Sequence, residues 1–282
     1  MLKPAMRERL RLMGMVKDDA ALLALFEELA LAAGRAIMDH YAAGFEVETK
    51  ADSSPVTAAD RAAERVILDG FAAAGLGTPC VSEEEASGGV IPACGDGNFL
   101  LVDPLDGTRE FIERRPDFTV NIALIRAGDP ALGVVYAPAR DLLYAARPGT
   151  AFEVTVDKGR AVSRRQIHAR IMRTPPAILA SRSHCTDETR AFIAGHPGAE
   201  TLSIGSSLKF CMIARGDADL YPRYGRTMQW DTAAGDAVLR AAGGMARTLD
   251  GAPLTYGPKQ GRGLEAFVSP SFIAEGAHAL DI

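Results

Sequence analysis

Four apolar residues, Phe99 to Val102, run directly into Asp103-Pro104-Leu105-Asp106-Gly107-Thr108. No other stretch constrains the chain as tightly. The apolar run reads as a buried strand. Pro104 removes a backbone donor and Asp106-Gly107 is a strong turn signal, so the strand is expected to stop there and fold back over its own end. Two carboxylates then share the rim of a sheet. Held that close, they repel one another and raise each other's proton affinity unless a cation lies between them. Asp-Gly is also a common hairpin dipeptide, so a purely structural turn stays open until other acids converge on it.

Composition excludes several classes of function. The chain has 282 residues, 48% of them apolar and 24% charged, which suits one large globular domain or two intimately packed halves. A net charge of -5, with no basic tract outside MLKPAMRERLRLMGMV, argues against general nucleic-acid binding. That first segment has neither a continuous apolar centre nor a small-residue cleavage site, so it reads as a frayed helix or an extension rather than a secretory signal. No run of about 18 uncharged apolar residues occurs, and no membrane span is expected. Cys80, Cys94, Cys185 and Cys211 are widely spaced without a CxxC pair, as suits reduced thiols in a cytoplasmic protein.

In chain order, Leu22, Phe26, Leu29, Ala33, Ile37 and Tyr41 recur at helical spacing after Asp18 or Asp19. They predict a long amphipathic helix ending near Gly44. A strand-like segment and a loop follow, then a second helix from Thr57 through Val66, Ile67 and Phe71. Thr57 with Asp60 fits a capping box, which alone would account for Asp60. Cys80 to Ser82 reads as a short strand running into Glu83, Glu84 and Glu85, a cluster that in isolation reads as solvated surface. DFTVNIALIRAG, ALGVVYAP, DLLYAA and AFEVTV predict an antiparallel meander completing the sheet of Phe99 to Val102. The polar, basic stretch from Gly159 to Thr174 marks the expected seam between an N-terminal α+β half, 1–158, and a C-terminal α/β half, 159–282. There, AILAS, TLSIG and DLY read as strands. They alternate with helices over Thr186 to Gly195, over Ser206 to Ala214 and from the Trp230-Asp231 pair. Capping that last helix would by itself explain Asp231.

The phosphate loop GxxxxGK[ST], HExxH and GxSxG are all missing. The remaining candidate site is made of oxygen donors: Glu83, Asp103, Asp106 and Asp231, with the Leu105 carbonyl between two of them. Oxygen-only ligation selects hard cations, Mg²⁺ or Mn²⁺ as its substitute. Several carboxylates can hold more than one ion, and two ions about 4 Å apart clamp the attacking and leaving oxygens of an in-line phosphoryl displacement.

SPVTAAD, SEEE, DPLDGTREF and WDTAAGDA occur in this order between about Lys50 and Gly244. Together they resemble the inositol monophosphatase superfamily of Mg²⁺-dependent, lithium-sensitive phosphatases. The resemblance implies a layered αβαβα fold and two or three Mg²⁺ ions. It implies metal ligation by Glu83, Asp103, the Leu105 carbonyl, Asp106 and Asp231, and a phosphate-contacting turn at Gly107 and Thr108. Asp60 matches the acid that pairs with Thr108 to orient and deprotonate the nucleophilic water, and Glu83 joins these two as catalytic.

Within the superfamily, GTREFI, DFTVNIALI, GVVYAP, GSSLKFC and LYPRYGRTMQWDTAAG resemble the bacterial 3'(2'),5'-bisphosphate nucleotidases. Inositol phosphatases place a glutamate shortly before the Trp-Asp motif to bind ring hydroxyls, whereas this loop offers Arg223 and Arg226. An arginine fork suits a second phosphate better than a polyol, and Lys209 on the preceding helix can assist; a solvated basic loop is the alternative. The implied reaction converts adenosine 3',5'-bisphosphate to AMP and phosphate, with the sulfated analogue as a further substrate, in sulfur assimilation and nucleotide recycling. The implied substrate contacts are Glu83, Leu105, Asp106, Gly107, Thr108, Lys209, Arg223 and Asp231. The partner is a small phosphorylated nucleotide and not a nucleic-acid polymer, in a cytoplasmic monomer or homodimer. Peripheral placement on the inner membrane face stays open. Two other readings stand beside this one: an inositol or sugar-bisphosphate phosphatase of the same superfamily, and a non-catalytic metal- or nucleotide-binding regulator.

Overall fold

Asp18 accepts a hydrogen bond from the Ala21 amide at 2.8 Å and opens helix α1 (Asp19–Ala43), which ends where Gly44 adopts a φ of 90°. The computed structural model describes residues 6, 8–11, 18–44, 47–49, 55–95, 97–182 and 185–277. Most of the first segment of the chain, and the start of the SPVTAAD motif, lie outside them. β1 (Val47–Thr49) pairs with β2 (Pro55–Thr57), and Thr57 then caps α2 (Ala58–Ala73). Among the described residues no helix is long and apolar enough to cross a membrane.

Seven strands form the larger sheet in simple chain order: β3 (Cys80–Ser82), β4 (Phe99–Asp106), β5 (Thr119–Arg126), β6 (Asp129–Ala137), β7 (Leu142–Arg147), β8 (Thr150–Asp157) and β9 (Arg160–Ile167). β3 runs parallel to β4 and every later pair is antiparallel, so the expected meander is present. The short helices α3 (Glu83–Ser87) and α4 (Thr108–Ile112) follow β3 and β4 directly. Contrary to expectation, the sheet does not end at Gly159. The first seven residues of β9 are exposed, and five of them are polar, because it is an edge strand. An edge dressed in charge to deter further pairing has the composition of a linker.

β10 (Ala177–Ser181), α5 (Asp187–Ala194), β11 (Glu200–Ile204), α6 (Leu208–Ala214), β12 (Leu220–Arg223), β13 (Thr227–Met228) and α7 (Gln229–Ala241) come next. They are followed by β14 (Met245–Thr248), β15 (Val268–Ser269) and β16 (Phe272–Glu275). The second sheet has the order β11-β10-β12-β16-β14, parallel through β12 and antiparallel after it. β14 and β16 were not legible as strands, being four residues each between Gly- and Pro-rich turns.

Alternation along the strands builds the layers. Leu100, Val102, Val120, Ile122 and Val134 share a core with Phe26, Leu29, Ile37, Ala63 and Ile67 of α1 and α2. Phe99, Leu101, Ala123 and Val135 point the other way, into a core with Phe210, Ala234 and Val238 and with Leu179, Tyr221 and Phe272 of the second sheet. With α5 packed against β12, the order of layers is helix, sheet, helix, sheet, helix. Gly133 permits one of these contacts, since a Cβ there would lie 2.5 Å from Ala234 O and 2.6 Å from Ala237 Cβ. The absence of that atom lets α7 lie close against the larger sheet.

β4 departs from expectation in a way that makes the site. It does not stop at Asp103: pairing of Asp103 with Asn121 resumes at Asp106 with Thr119, so three steps on β4 oppose two on β5. Strict alternation would send Asp103 and Asp106 to opposite faces. The extra residue at Pro104-Leu105, where the missing donor of proline is tolerated, resets the phase. Leu105 therefore enters the α1–α2 core while Asp103 and Asp106 line one cleft.

Asp117, 1% exposed, ties the loop before β5 to the second sheet. It accepts from Arg140 Nε at 2.8 Å and from Arg182 Nη1 at 2.6 Å. Burial raises its pKa, but the two guanidinium groups outweigh this and hold it below the ordinary carboxylate range. Asp117→Asn should cost about 3 kcal/mol in urea unfolding at pH 7, because it strands two cations against a neutral partner. The folded-state pKa is the depressed one, so the wild-type contribution is complete above about pH 4 and fades as pH falls through the lowered value. The gap between wild type and variant should narrow in acid; a gap that stays constant down to acid unfolding refutes this role.

Candidate active site

A cleft of about 300 Å³ opens where the end of β4 meets the start of α7, with α3, α6 and β12 around it. Asp103, buried, accepts the Leu105 amide on Oδ1 at 3.0 Å, which holds the bulge in place. The carboxyl of Glu83, the first residue of α3, lies close enough to raise the proton affinity of Asp103. Asp106 Oδ2 accepts from Ser207 N at 2.6 Å and Ser207 Oγ at 2.7 Å. Asp231 is not the cap of α7 but its third residue: Oδ2 reaches back to the Met228 amide at 2.9 Å and to Thr227 Oγ1 at 2.8 Å. Ser207 Oγ additionally meets the Asp231 carbonyl and Asn121 Nδ2, at 2.5 and 2.8 Å, so this one hydroxyl joins Asp106, β5 and α7.

Four acids thus converge from three separated stretches of chain. Burial and then the charges of Glu83, Asp106 and Asp231 push the Asp103 pKa well above the ordinary value. Burial, Asp106 and Glu83 push Asp231 up to about 7. Burial also raises Asp106, against the opposing pull of Lys209 and Ser207. A hard divalent cation among them relieves this repulsion for all four acids. Among the described residues no three acidic, histidine or cysteine side chains already stand as a closed cage. Asp106 and Asp231 each commit one oxygen to protein donors, and both residues line the cleft. Glu83, Asp103, Asp106 and Asp231 with the Leu105 carbonyl therefore fit Mg²⁺ by donor chemistry, as an open rather than a pre-closed site.

At the end of β4 the chain turns through Gly107, whose φ of 92° is left-handed and whose Cβ would lie 3.1 Å from Asp117 O and 3.3 Å from Phe118 Cα. Glycine is required there on both counts. Thr108 follows with Oγ1 3.2 Å from Asp60 Oδ1 and 3.3 Å from Leu105 O. Asp60 divides its oxygens. Oδ2 completes the capping box with Thr57 N at 2.8 Å and also takes Thr57 Oγ1 at 2.7 Å, while Oδ1 takes Thr108. Capping and an active-site contact coexist in one carboxylate.

The cationic wall is uneven. Lys209, 3% exposed, donates to the Ser206 and Ile204 carbonyls, and burial lowers its pKa to about 8. Arg223 is 8% exposed; its Nη2 donates to Arg226 O at 2.7 Å, and its buried Nε has no partner. Arg226 is instead drawn to the rim by Glu265, at 2.8 and 3.1 Å. Ser207 and Asn121, which both donate to Asp106, carry no signal in the local sequence. Ser207 is 101 positions from the Asp106 it supports, and no local pattern signals such a contact.

Comparison with known proteins agrees with this geometry. The sequence model of the inositol monophosphatase family matches residues 18–278. The 3'(2'),5'-bisphosphate nucleotidase CysQ of Escherichia coli (strain K12) is 47% identical over 247 residues, 87% of this chain and 96% of that protein. The crystal structure of CysQ from Bacteroides thetaiotaomicron, a bacterial member of the same family, superposes with a TM-score of 0.74 at 35% identity, covering 91% of this chain and 97% of that one. The Thermotoga maritima IMPase superposes with a TM-score of 0.72 at 26% identity, covering 92% and 93%. This chain belongs to the inositol monophosphatase family.

Proposed function

We propose that the protein is a Mg²⁺-dependent 3'(2'),5'-bisphosphate nucleotidase that converts adenosine 3',5'-bisphosphate to AMP and phosphate. The sulfated analogue is a second substrate of the same kind. The observation that carries the choice within the family is Arg223, a guanidinium in the cleft wall with a buried, unpartnered Nε. A buried donor without an acceptor is costly unless a ligand supplies one, and a second phosphate is the acceptor a guanidinium matches best. The Escherichia coli relative, named as a 3'(2'),5'-bisphosphate nucleotidase, points the same way. The four cysteines are free, which agrees with a reducing compartment.

Glu83, Asp103, the Leu105 carbonyl, Asp106 and Asp231 would hold the two or three Mg²⁺ ions, for which Mn²⁺ can substitute. When bound, Mg²⁺ polarises the phosphoryl group and neutralises charge developing on the departing oxygen. The chain's own residues do the rest. Gly107 and Thr108 seat the 3'-phosphate, and Arg223, with Lys209 behind it, holds the 5'-phosphate. Thr108 Oγ1, fixed by Asp60 Oδ1, orients the nucleophilic water, and Asp60 receives the proton the water gives up. Attack in line forms the new phosphorus–oxygen bond as the bond to the ribose 3'-oxygen breaks, and that oxygen leaves with a proton from solvent.

Asp103→Asn should lower Mg²⁺-dependent phosphate release by about 100-fold or more with an unchanged circular dichroism spectrum; near-normal turnover in the folded variant would end the assignment. Arg223→Ala should raise the KM for adenosine 3',5'-bisphosphate by about 10-fold, the loss of one charge-assisted contact. Phosphate release is to be measured on that nucleotide, inositol monophosphate and a sugar bisphosphate, with and without Mg²⁺. Equal loss on all three would show that Arg223 does not select the second phosphate.

A further inference from the structure

Glu64 lies on α2 one turn beyond Asp60, and an (i, i+4) pair shares one helix face. It is 8% exposed, and its Oε1 serves three donors of another segment: Ser82 Oγ, the Glu84 amide at 3.0 Å and the Glu85 amide at 3.2 Å. Those donors straddle Glu83. The first amides of any helix lack partners within it, and here the N-cap Ser82 makes no capping bond because its hydroxyl is turned to Glu64. The start of α3 is therefore capped from a different helix by a single carboxylate oxygen.

We infer that Glu64 is a positioning residue that fixes where Glu83 presents its carboxylate to the cleft. The inference rests on Glu83 holding a cation, as proposed above. α2 then sets two distances at once. Asp60 anchors Thr108 at the end of β4, and Glu64 anchors the turn that bears Glu83, so the water-orienting group and the cation-holding acid are referenced to one rigid helix face. Donors that orient a metal ligand tune its affinity by 10- to 100-fold when removed, which is the size of effect to look for.

The test is Mg²⁺ binding by titration calorimetry to the full chain, with Glu83→Gln as the reference variant. Glu64→Ala should bind Mg²⁺ about 10-fold or more weakly, while the KM for the nucleotide at saturating Mg²⁺ holds. Glu64→Gln should restore most of the affinity, because a carboxamide oxygen accepts the same donors. Hydrogen exchange at the Glu84 and Glu85 amides should quicken in the alanine variant and stay slow in the glutamine variant. If Glu64→Ala lowers the melting temperature but leaves Mg²⁺ affinity intact, Glu64 is merely structural and the inference falls. If the wild type binds no Mg²⁺, or Glu83→Gln binds it equally, the proposal for Glu83 fails instead. Should Glu64→Ala not fold, Ser82→Ala decides the question: weakened Mg²⁺ binding supports the inference, and wild-type affinity overturns it.

Discussion

Placing Asp103 and Asp106 on the same side of one strand is the constraint that the rest of the molecule serves. An uninterrupted strand alternates its side chains and would separate them. The bulge at Pro104 brings them together, and their mutual repulsion then has to be met by the surroundings. Ser207 comes from the second half of the chain to hold Asp106, the Leu105 amide turns back to hold Asp103, and α7 delivers Asp231 through a sheet contact that only a glycine at 133 permits. The bulge is thus where backbone chemistry becomes site chemistry: a residue that cannot donate to the ladder is used where the ladder must slip.

A recurring economy links stability to chemistry in this cleft. Asp60 gives one oxygen to the cap of α2 and the other to Thr108; Asp231 gives one oxygen to the first turn of α7; Asp106 gives one to Ser207. Each acid is locked in orientation by its structural bond. A carboxylate fixed in this way meets a cation without further ordering, which is what preorganisation means energetically. Because both uses fall on one side chain, loss of folding and loss of chemistry are hard to separate at these positions. They come apart at Glu64, which does not line the cleft and whose carboxylate bonds Ser82 and the Glu84 and Glu85 amides.

Much of this was legible in residue patterns, and the failures have identifiable physical causes. The capping box at Thr57 and Asp60 was correct as a cap, and it concealed nothing, since the second oxygen was still available for Thr108. β9 was mistaken for a seam because an exposed edge strand and a linker face the same solvent and share a composition. The turn signal at Asp106-Gly107 was real, but the strand ran on to meet it, since a bulge absorbs a proline that would break a regular ladder. Arg223 and Arg226 looked equivalent three residues apart. Glu265, 39 positions away from Arg226, draws that arginine to the rim and leaves Arg223 in the wall.

By itself, the sequence determined the longer helices, the meander, the candidate acids and the hard-cation chemistry they imply, because these follow from local periodicity, turn residues and donor type. Only the tertiary structure decided that Asp103 and Asp106 face one way, that Ser207 bridges Asp106 to α7, that Glu64 carries the turn of Glu83, and which of the two cleft arginines is held by Glu265. Those contacts join residues tens of positions apart. They depend on how layers pack and where a ladder slips by one residue, and no local pattern encodes that.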